Sequence, residues 1–378
     1  MKLLVNLVFL FTLLSSILIE VSAESPTKLP LEQSPIPQFQ IVKVLEVSPL
    51  ESASGGLDEL ISAKEQQVKV KVISDGPQKN TELFINNIVP DNLAFGIVAK
   101  KDKEYIISLA DDSNDVAIID YHRKPYVIGL FILFVVLIIG FSGFKGFKAI
   151  LSLFVTALSI IYILIPAIKE GYDPILVGIF ISAIATAVTV ISIAGFTKKA
   201  FAATIGSIGA VAIAGLTSFF VIKGAPLSGL ASNEAQILLA NSMYGSTTSI
   251  MNFQGILSAG VIIASLGAAM DVAVSIASAT QELYLTDIHQ SFNNLFKHAM
   301  NVGKDIMGTM TDTLILAYTG ASLPLFLLLE SYEPKALLLN MEIIVTELTS
   351  ALAGSIGIIF AIPLTAIISV FMYKGFKH

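Results

Sequence analysis

One long apolar run, from Phe253 to Ala279, contains a single charged residue, Asp271. About 20 apolar residues are enough to cross the hydrocarbon core of a bilayer, so the run predicts a membrane-spanning helix with a carboxylate inside it. An ionisable side chain at such a depth is costly and by default marks a functional site. The alternative is that Asp271 only forms a hydrogen bond to a neighbouring helix.

Two stripes of residues recur along this run at helical spacing. The polar stripe consists of Gly267, Asp271, Ser275, Ser278 and Glu282, and the small-residue stripe beside it consists of Gly260, Ala264 and Ala268. Small residues allow a neighbouring helix to approach closely, which is why we assign the second stripe to helix packing. We therefore expect both stripes to face protein or water rather than lipid.

The composition of the whole chain also indicates a membrane protein. Of its 378 residues, 54% are hydrophobic and 14% are charged, whereas soluble domains have about 25% charged residues. The mean hydropathy is +0.78. A net charge of −6 argues against nucleic acid as a partner. The absence of cysteine excludes disulfides and thiol chemistry.

The first 23 residues have the pattern of an export signal. Lys2 precedes an apolar core, Leu3–Ile19, and the small residues of Val21-Ser22-Ala23 suit a signal peptidase. We expect cleavage after Ala23, with an uncleaved membrane anchor as the alternative. In both cases the following segment is exported.

Residues 24–124 predict a small β-rich domain outside the cytoplasm. After a Pro-rich linker, strand-like runs are separated by turn sequences; they are Phe39–Val47, Gln67–Ser74, Thr81–Ile88, Glu104–Leu109 and Asp115–Asp120. Five short strands in about a hundred residues indicate a small barrel or sandwich. We interpret this domain as a docking or stabilising module.

Residues 125–378 predict an α-helical bundle that crosses the membrane several times. Seven apolar stretches qualify as spans: Tyr126–Phe141, Ala149–Ile168, Ile175–Ile193, Ala202–Ile222, Phe253–Ala279, Thr313–Leu329 and Leu348–Tyr373. Prolines in the last two, Pro324 and Pro363, are natural points for a kink.

Basic residues between the spans predict the orientation of the bundle. They fall in alternate loops and at the end of the chain: Lys145 and Lys148, Lys198 and Lys199, Lys297 and Lys304, and Lys374 and Lys377. These places should be cytoplasmic, which puts the β domain outside and the C-terminus inside. We expect the amphipathic linker Gln281–Gly308 to lie along the inner membrane interface, with a partner-binding helix as the alternative.

Two further spans carry polar residues that could act together with Asp271. Thr309 and Asp312 share a face at the start of the sixth span, and Glu347, Ser350 and Gly354 share a side of the seventh. The direction of the chain places Asp312 on the inner side, Asp271 at mid-membrane and Glu347 near the outer end. Carboxylates at three depths suit a cation or proton path. Alternatively, Asp312 and Glu347 are interfacial and merely solvated.

Enzyme motifs are missing from the sequence. It contains no HExxH, no Walker A motif and no zinc spacing among its four histidines. We therefore expect a protein that is not an enzyme, with no catalytic residues, cofactor or metal.

Three blocks near the C-terminus resemble the YibE/F family of bacterial multi-pass membrane proteins. They are FQGILSAGVIIASLGAAMDVAVSIASATQEL, VGKDIMGTMTDTLILAYTGASLPL and NMEIIVTELTSALAGSIGIIFAIPLTA. The resemblance implies a multi-pass protein of a bacterial cell membrane and supplies no activity. The layout is also similar to the membrane half of SecD/SecF-type export proteins, which is analogy only.

Two functions fit these features. The first is a permease or ion-coupled transporter that uses Asp271, Ser275, Ser278, Thr309, Asp312, Glu347 and Ser350. The second is a non-transporting membrane scaffold that assists secretion or membrane-protein assembly. The expected partners are the lipid bilayer and either a second copy of the chain or another membrane protein.

Overall fold

The computed structural model describes residues 38–52, 63–76, 78–90, 96–109, 116–244, 251–331 and 335–375. These residues divide into two compact units, with the boundary between Leu137 and Ile138. The predicted signal segment, residues 1–23, lies outside the described residues.

The first unit contains a six-stranded sheet. Its strands are β1 (Gln38–Val47), β2 (Glu51–Ser52), β3 (Ala63–Val72), β4 (Glu82–Pro90), β5 (Glu104–Leu109) and β6 (Val116–Tyr121). All five predicted strands are confirmed, because alternating sequences such as QVKVKV place valines on the buried face and lysines on the other. Strand β2 was not predicted, since two residues are too few to show a pattern.

The pairing of the strands gives the sheet a simple antiparallel order. Strand β3 pairs with β4 along one edge and with β1, then β2, along the other, while β5 joins β1 to β6. The outermost strands β4 and β6 also approach one another. The sheet is therefore strongly curved, and its buried face includes Val44, Val70, Ile85 and Tyr105.

The second unit is built mainly from long helices. The described helices of the chain are α1 (Lys124–Ser159), α2 (Ile165–Lys169), α3 (Pro174–Ala194), α4 (Lys198–Gly224), α5 (Asn233–Tyr244), α6 (Phe253–Thr286), α7 (Phe292–Ala321), α8 (Leu323–Glu330) and α9 (Glu342–Lys374). A π-helical turn, Ile160–Leu164, joins α1 to α2, and a 3₁₀ turn, Lys335–Asn340, precedes α9.

The predicted number of seven membrane-crossing helices is not confirmed. Within the described residues, five helical stretches are long and apolar enough to cross a membrane, or six if α7 and α8, which meet at a 62° bend, count as one span. The first two predicted spans fall in one stretch, Lys124–Lys169. Its helix is broken at Gly143, where φ is 56°. A Cβ on Gly146 would lie 2.5 Å from the carbonyl oxygen of Ile138, so the chain turns back sharply there.

Helices α4, α6 and α9 form the centre of the second unit, with α3 and α7 packed against them. Glycines let the central helices come close together. Gly206 of α4 rests on Thr365 of α9, and Gly215 of α4 rests on Ile262 of α6.

The two ends of this bundle have different chemistry. At one end, Glu342 at the start of α9 accepts hydrogen bonds of 2.6 Å from the backbone and hydroxyl of Ser228, just after α4. At the other end, the ring of Tyr373 on α9 contacts Lys198 at the start of α4. The lysines that the sequence assigns to the cytoplasm at residues 198 and 374 therefore lie at the same end.

Helix α7 departs from the prediction for the linker Gln281–Gly308. The sequence predicts a separate helix along the membrane interface, but the amphipathic stretch is the first half of the 30-residue α7. Its small and apolar face, with Leu295 and Ala299 fully buried, packs into the bundle. Gly303 lies against Ile276 of α6 and Ile362 of α9.

Candidate functional site

The outward face of α6 carries the residues that the sequence singled out. Seven residues, Asp271 and six others within about 40° of it around the helix axis, share this face, at 100° per residue. This face, which we name the acidic strip, consists of Gly260, Ala264, Gly267, Asp271, Ser275, Ser278 and Glu282. All seven are exposed except Ser278, which is half-buried. The opposite face of α6, including Ile262 and Ala269, is fully buried in the bundle.

Asp271 occupies the middle of α6 without a partner. It lies about 27 Å along the axis from Phe253 and about 22 Å from Thr286, at 1.5 Å per residue. Within the described part of the chain, its carboxylate makes no hydrogen bond and no ion pair. The expectation that this face meets protein or water stays a prediction, because none of the described residues covers it.

The residues predicted for helix packing lie in two different settings. Gly354 of α9 fits between Leu314 of α7 and the Cβ of Ser265 on α6, which would be 2.9 and 3.5 Å from an added Cβ. Ala268 packs against the main buried cluster of the bundle. Gly260 and Ala264 belong to the exposed strip, and no atom lies within 4 Å of a Cβ added at Gly260.

Asp312 and Thr309 occupy the exposed side of α7, away from the bundle centre. The Thr309 hydroxyl donates to the carbonyl oxygen of Ile306, one turn earlier, at 2.9 Å. Helix α7 runs antiparallel to α6, because Gly303 contacts Ile276 and Leu314 lies beside Ser265. The same register places Asp312 of α7 at the level of Gly267 of α6. The helix starts earlier than predicted, because α7 begins at Phe292 and not near the predicted start of the sixth span. The depth of Asp312 in the membrane stays a prediction.

Glu347 lies near the start of α9, at the bend between α7 and α8. The hydroxyl of Ser322, the residue at the bend, donates to Oε2 of Glu347 at 2.8 Å. A small pocket beside this pair is lined by residues that include Tyr318, Thr319 and Phe326. Ser350, one turn further along α9, is buried and donates to the carbonyl oxygen of Thr346 in its own helix.

The structure does not gather the three carboxylates into one cluster. Gly354 of α9 and Ser265 of α6 are at the same level. Because the two helices run in the same direction, Glu347 of α9 is about level with Ser258 of α6. This level is about 20 Å from Asp271 along the axis of α6. Within the described residues, no group of three His, Asp or Glu side chains could hold a metal ion. The acids of α6, α7 and α9 are therefore spaced along the bundle.

Sequence reasoning missed Ser322 and Glu342, which the structure gives clear hydrogen-bonding roles. Glu342 had one usable signal, because an acidic residue in the first turn of a helix interacts favourably with the positive end of the helix dipole. Ser322 had none, because its partner Glu347 is 25 residues away.

The comparison with known sequences follows the helical unit closely. The sequence profile of YibE/F-like proteins matches residues 130–375, which is well over half of the chain. The chain belongs to the YibE/F-like family. No curated protein and no solved structure matches it. Together with its apolar helices, membership of this family makes the chain a membrane protein.

Proposed function

We propose that this YibE/F-like protein is an ion-coupled permease that moves a cation or proton past Asp271. The observation that carries the proposal is the position of this carboxylate: it lies in the middle of a long apolar helix and has no partner among the described residues. A carboxylate with a purely structural role in a membrane is paired or hydrogen-bonded, because leaving it unpaired is costly. A free carboxylate can exchange a proton or a cation.

The surroundings of Asp271 also support transport. On the acidic strip, glycine and alanine lie on one side of Asp271, and the hydroxyls of Ser275 and Ser278 lie on the other. Small side chains leave room for water or an ion, and hydroxyl oxygens can accept the hydrogen bonds of water. Hydrocarbon chains provide neither water nor hydrogen-bonding partners, so the proposal requires this strip to face water or a second polypeptide.

The spacing of the other acids suggests the direction of the path. From Asp271, Glu282 lies about 16 Å along α6 towards the end that carries Lys198. Asp312 and Glu347 lie at successive levels towards the opposite end. We propose that the Lys198 end is cytoplasmic and the β unit extracytoplasmic, in a bacterial cell membrane, so that these acids mark steps between the two sides.

A scaffold role is the second candidate, and the β unit supplies the observation that favours it. Phe39, Phe84 and Ile88 are 60%, 76% and 61% exposed on the sheet. Large apolar side chains that remain exposed are common at protein-binding surfaces. In this case the protein would assist secretion or membrane-protein assembly without moving an ion.

Proton and cation fluxes into liposomes containing the purified protein separate the two functions. With an internal pH-sensitive dye and imposed Na⁺ or K⁺ gradients, we expect Asp271→Asn to abolish the flux and Asp271→Glu to retain part of it. Asp287→Asn, which removes an exposed carboxylate just after α6, is the matched control and should transport normally. Unchanged flux in the folded Asp271→Asn protein would exclude the permease and leave the scaffold.

A further inference from the structure

One end of the bundle holds two lysines against a pair of stacked tyrosines. The rings of Tyr284 on α6 and Tyr373 on α9 are 5.2 Å apart between centroids. The ammonium of Lys198 is 5.8 Å from the Tyr373 ring, and that of Lys374 is 5.6 Å from the Tyr284 ring. The four side chains, which we name the lysine–tyrosine cluster, therefore join the ends of α4, α6 and α9.

The positive charge of this cluster is not neutralised within the described residues. Neither lysine forms an ion pair there, although Lys374 donates to the carbonyl oxygen of Ile288. Two ammonium groups with no carboxylate in ion-pair distance among the described residues give the cluster a positive charge.

The start of α4 adds a second feature that favours an anion. The side chain of Thr197 accepts a hydrogen bond from the backbone of Ala200, and the amides of Lys198 and Lys199 have no partner within the described residues. Free amides and the helix dipole attract phosphate groups at such a position. Lys198 is the first residue of this helix, so its ammonium and the helix end act at the same place.

Apolar rings next to Lys198 indicate the kind of phosphate. Phe196 and Phe201 are 61% and 44% exposed, and their ring centroids are 6.4 Å apart. A free phosphate gains nothing from exposed phenyl rings, whereas a phospholipid has acyl chains that can cover them. Charged and apolar surfaces side by side at the end of a membrane helix match the two halves of a lipid.

We propose that the lysine–tyrosine cluster binds the phosphate of an anionic phospholipid whose acyl chains lie over Phe196 and Phe201. Basic sites between membrane helices bind lipid head groups in this way, with about 1 kcal/mol for each lysine near the surface. The tyrosine hydroxyls can donate further hydrogen bonds to the head group. The bound lipid would hold α4, α6 and α9 together at this end.

Native mass spectrometry of the full-length protein in detergent tests the proposal. With phosphatidylglycerol as the probe, we expect a bound lipid on the wild type and about fivefold weaker binding for each of Lys198→Gln and Lys374→Gln, as the loss of about 1 kcal/mol per lysine implies. Phosphatidylcholine should bind weakly to all forms. Phe196→Ser should weaken binding of phosphatidylglycerol while leaving both lysines in place.

Lys223→Gln is the matched control, because Lys223 makes a similar contact with Phe219, 5.5 Å from its ring, at the other end of α4. It should bind phosphatidylglycerol like the wild type. Equal binding by the wild type and Lys198→Gln, which replaces an exposed lysine, would overturn the proposal. Displacement of the lipid by millimolar inorganic phosphate would also overturn it and assign a free-phosphate site.

Discussion

Gly206→Ala tests the close packing of α4 against α9. A methyl group at this position would lie 2.9 Å from Cβ and 3.0 Å from Cα of Thr365, and closer still to its hydroxyl oxygen. Rotation of the Thr365 side chain can move the oxygen away but leaves Cβ and Cα in place. The two helices must therefore separate, by several tenths of an ångström or more, to reach ordinary contact distances.

Two opposing effects set the size of the change. Inserting a methyl group into a packed core typically costs about 1–3 kcal/mol, and contact with backbone-attached atoms favours the upper part of this range. Replacing glycine by alanine within a helix recovers up to about 1 kcal/mol. We expect a net loss of about 1–2 kcal/mol in the free energy of unfolding. The unfolding temperature in detergent should fall by about 2–8 °C.

Gly140→Ala is the control, since no atom lies within 4 Å of a Cβ added at Gly140, and it should leave the unfolding temperature unchanged or slightly higher. Adding Thr365→Ala to Gly206→Ala should restore part of the stability, because the hydroxyl is removed while Cβ remains. An unfolding temperature for Gly206→Ala equal to that of Gly140→Ala would refute the packing of α4 on α9 described above.

Three further outcomes are expected. Ser322→Ala should lower the unfolding free energy by about 1–3 kcal/mol, since it deprives Glu347 of its hydrogen bond; thermal unfolding measures this change, and a value near zero would contradict it. In the β unit, the hydrogen bond from Lys69, at 2.9 Å, lowers the pKa of Glu82, so its contribution to stability is present above the unfolded pKa of this carboxyl and lost as the pH falls through the folded value. The Glu82→Gln variant should therefore lose less stability than the wild type as the pH falls, as measured by thermal unfolding at several pH values. An equal loss in both proteins would argue against the Lys69–Glu82 pair. N-terminal sequencing of the purified protein should begin at Glu24, whereas an intact Met1 would show that the export segment is retained.

The strands were predictable because their side chains alternate between the buried face and the outer face of the sheet. This alternation is visible in the sequence of each strand by itself. Buried valines alternate with half-buried lysines in β3, and the period of two is visible without knowing the partner strands. The turn-back at Gly143 was not visible in this way. It depends on a positive φ that the flanking apolar residues do not encode.

The limits of α7 show why hydropathy alone misplaced the start of this helix. Polar residues such as Lys297 and Lys304 resemble a loop on a hydropathy scale, yet they lie on the exposed side of a continuous helix. The bundle thus continues beyond the apolar stretch that the sequence marks as a span. A helix of 30 residues is about 45 Å long, which exceeds the hydrocarbon thickness of about 30 Å.

The acidic strip was predictable as a helical face, but its exposure was not. Spacing places Gly267, Asp271 and Ser275 together on any α-helix. Which side of α6 the neighbouring helices cover depends on contacts between residues far apart in sequence, such as Gly215 with Ile262 and Gly354 with Ser265. The contact between Lys198 and Tyr373 has the same origin.

Water access to the acidic strip is the most direct test of an ion path past Asp271. The chain has no cysteine, so Ser275→Cys introduces a unique thiol that charged methanethiosulfonate reagents label only where water reaches it. Ile205→Cys is the control: Ile205 is 49% exposed on α4, at about the level of Val272, among apolar neighbours. We predict rapid labelling at position 275 and none at position 205. Equal resistance of both thiols to the reagent in native membranes would contradict it.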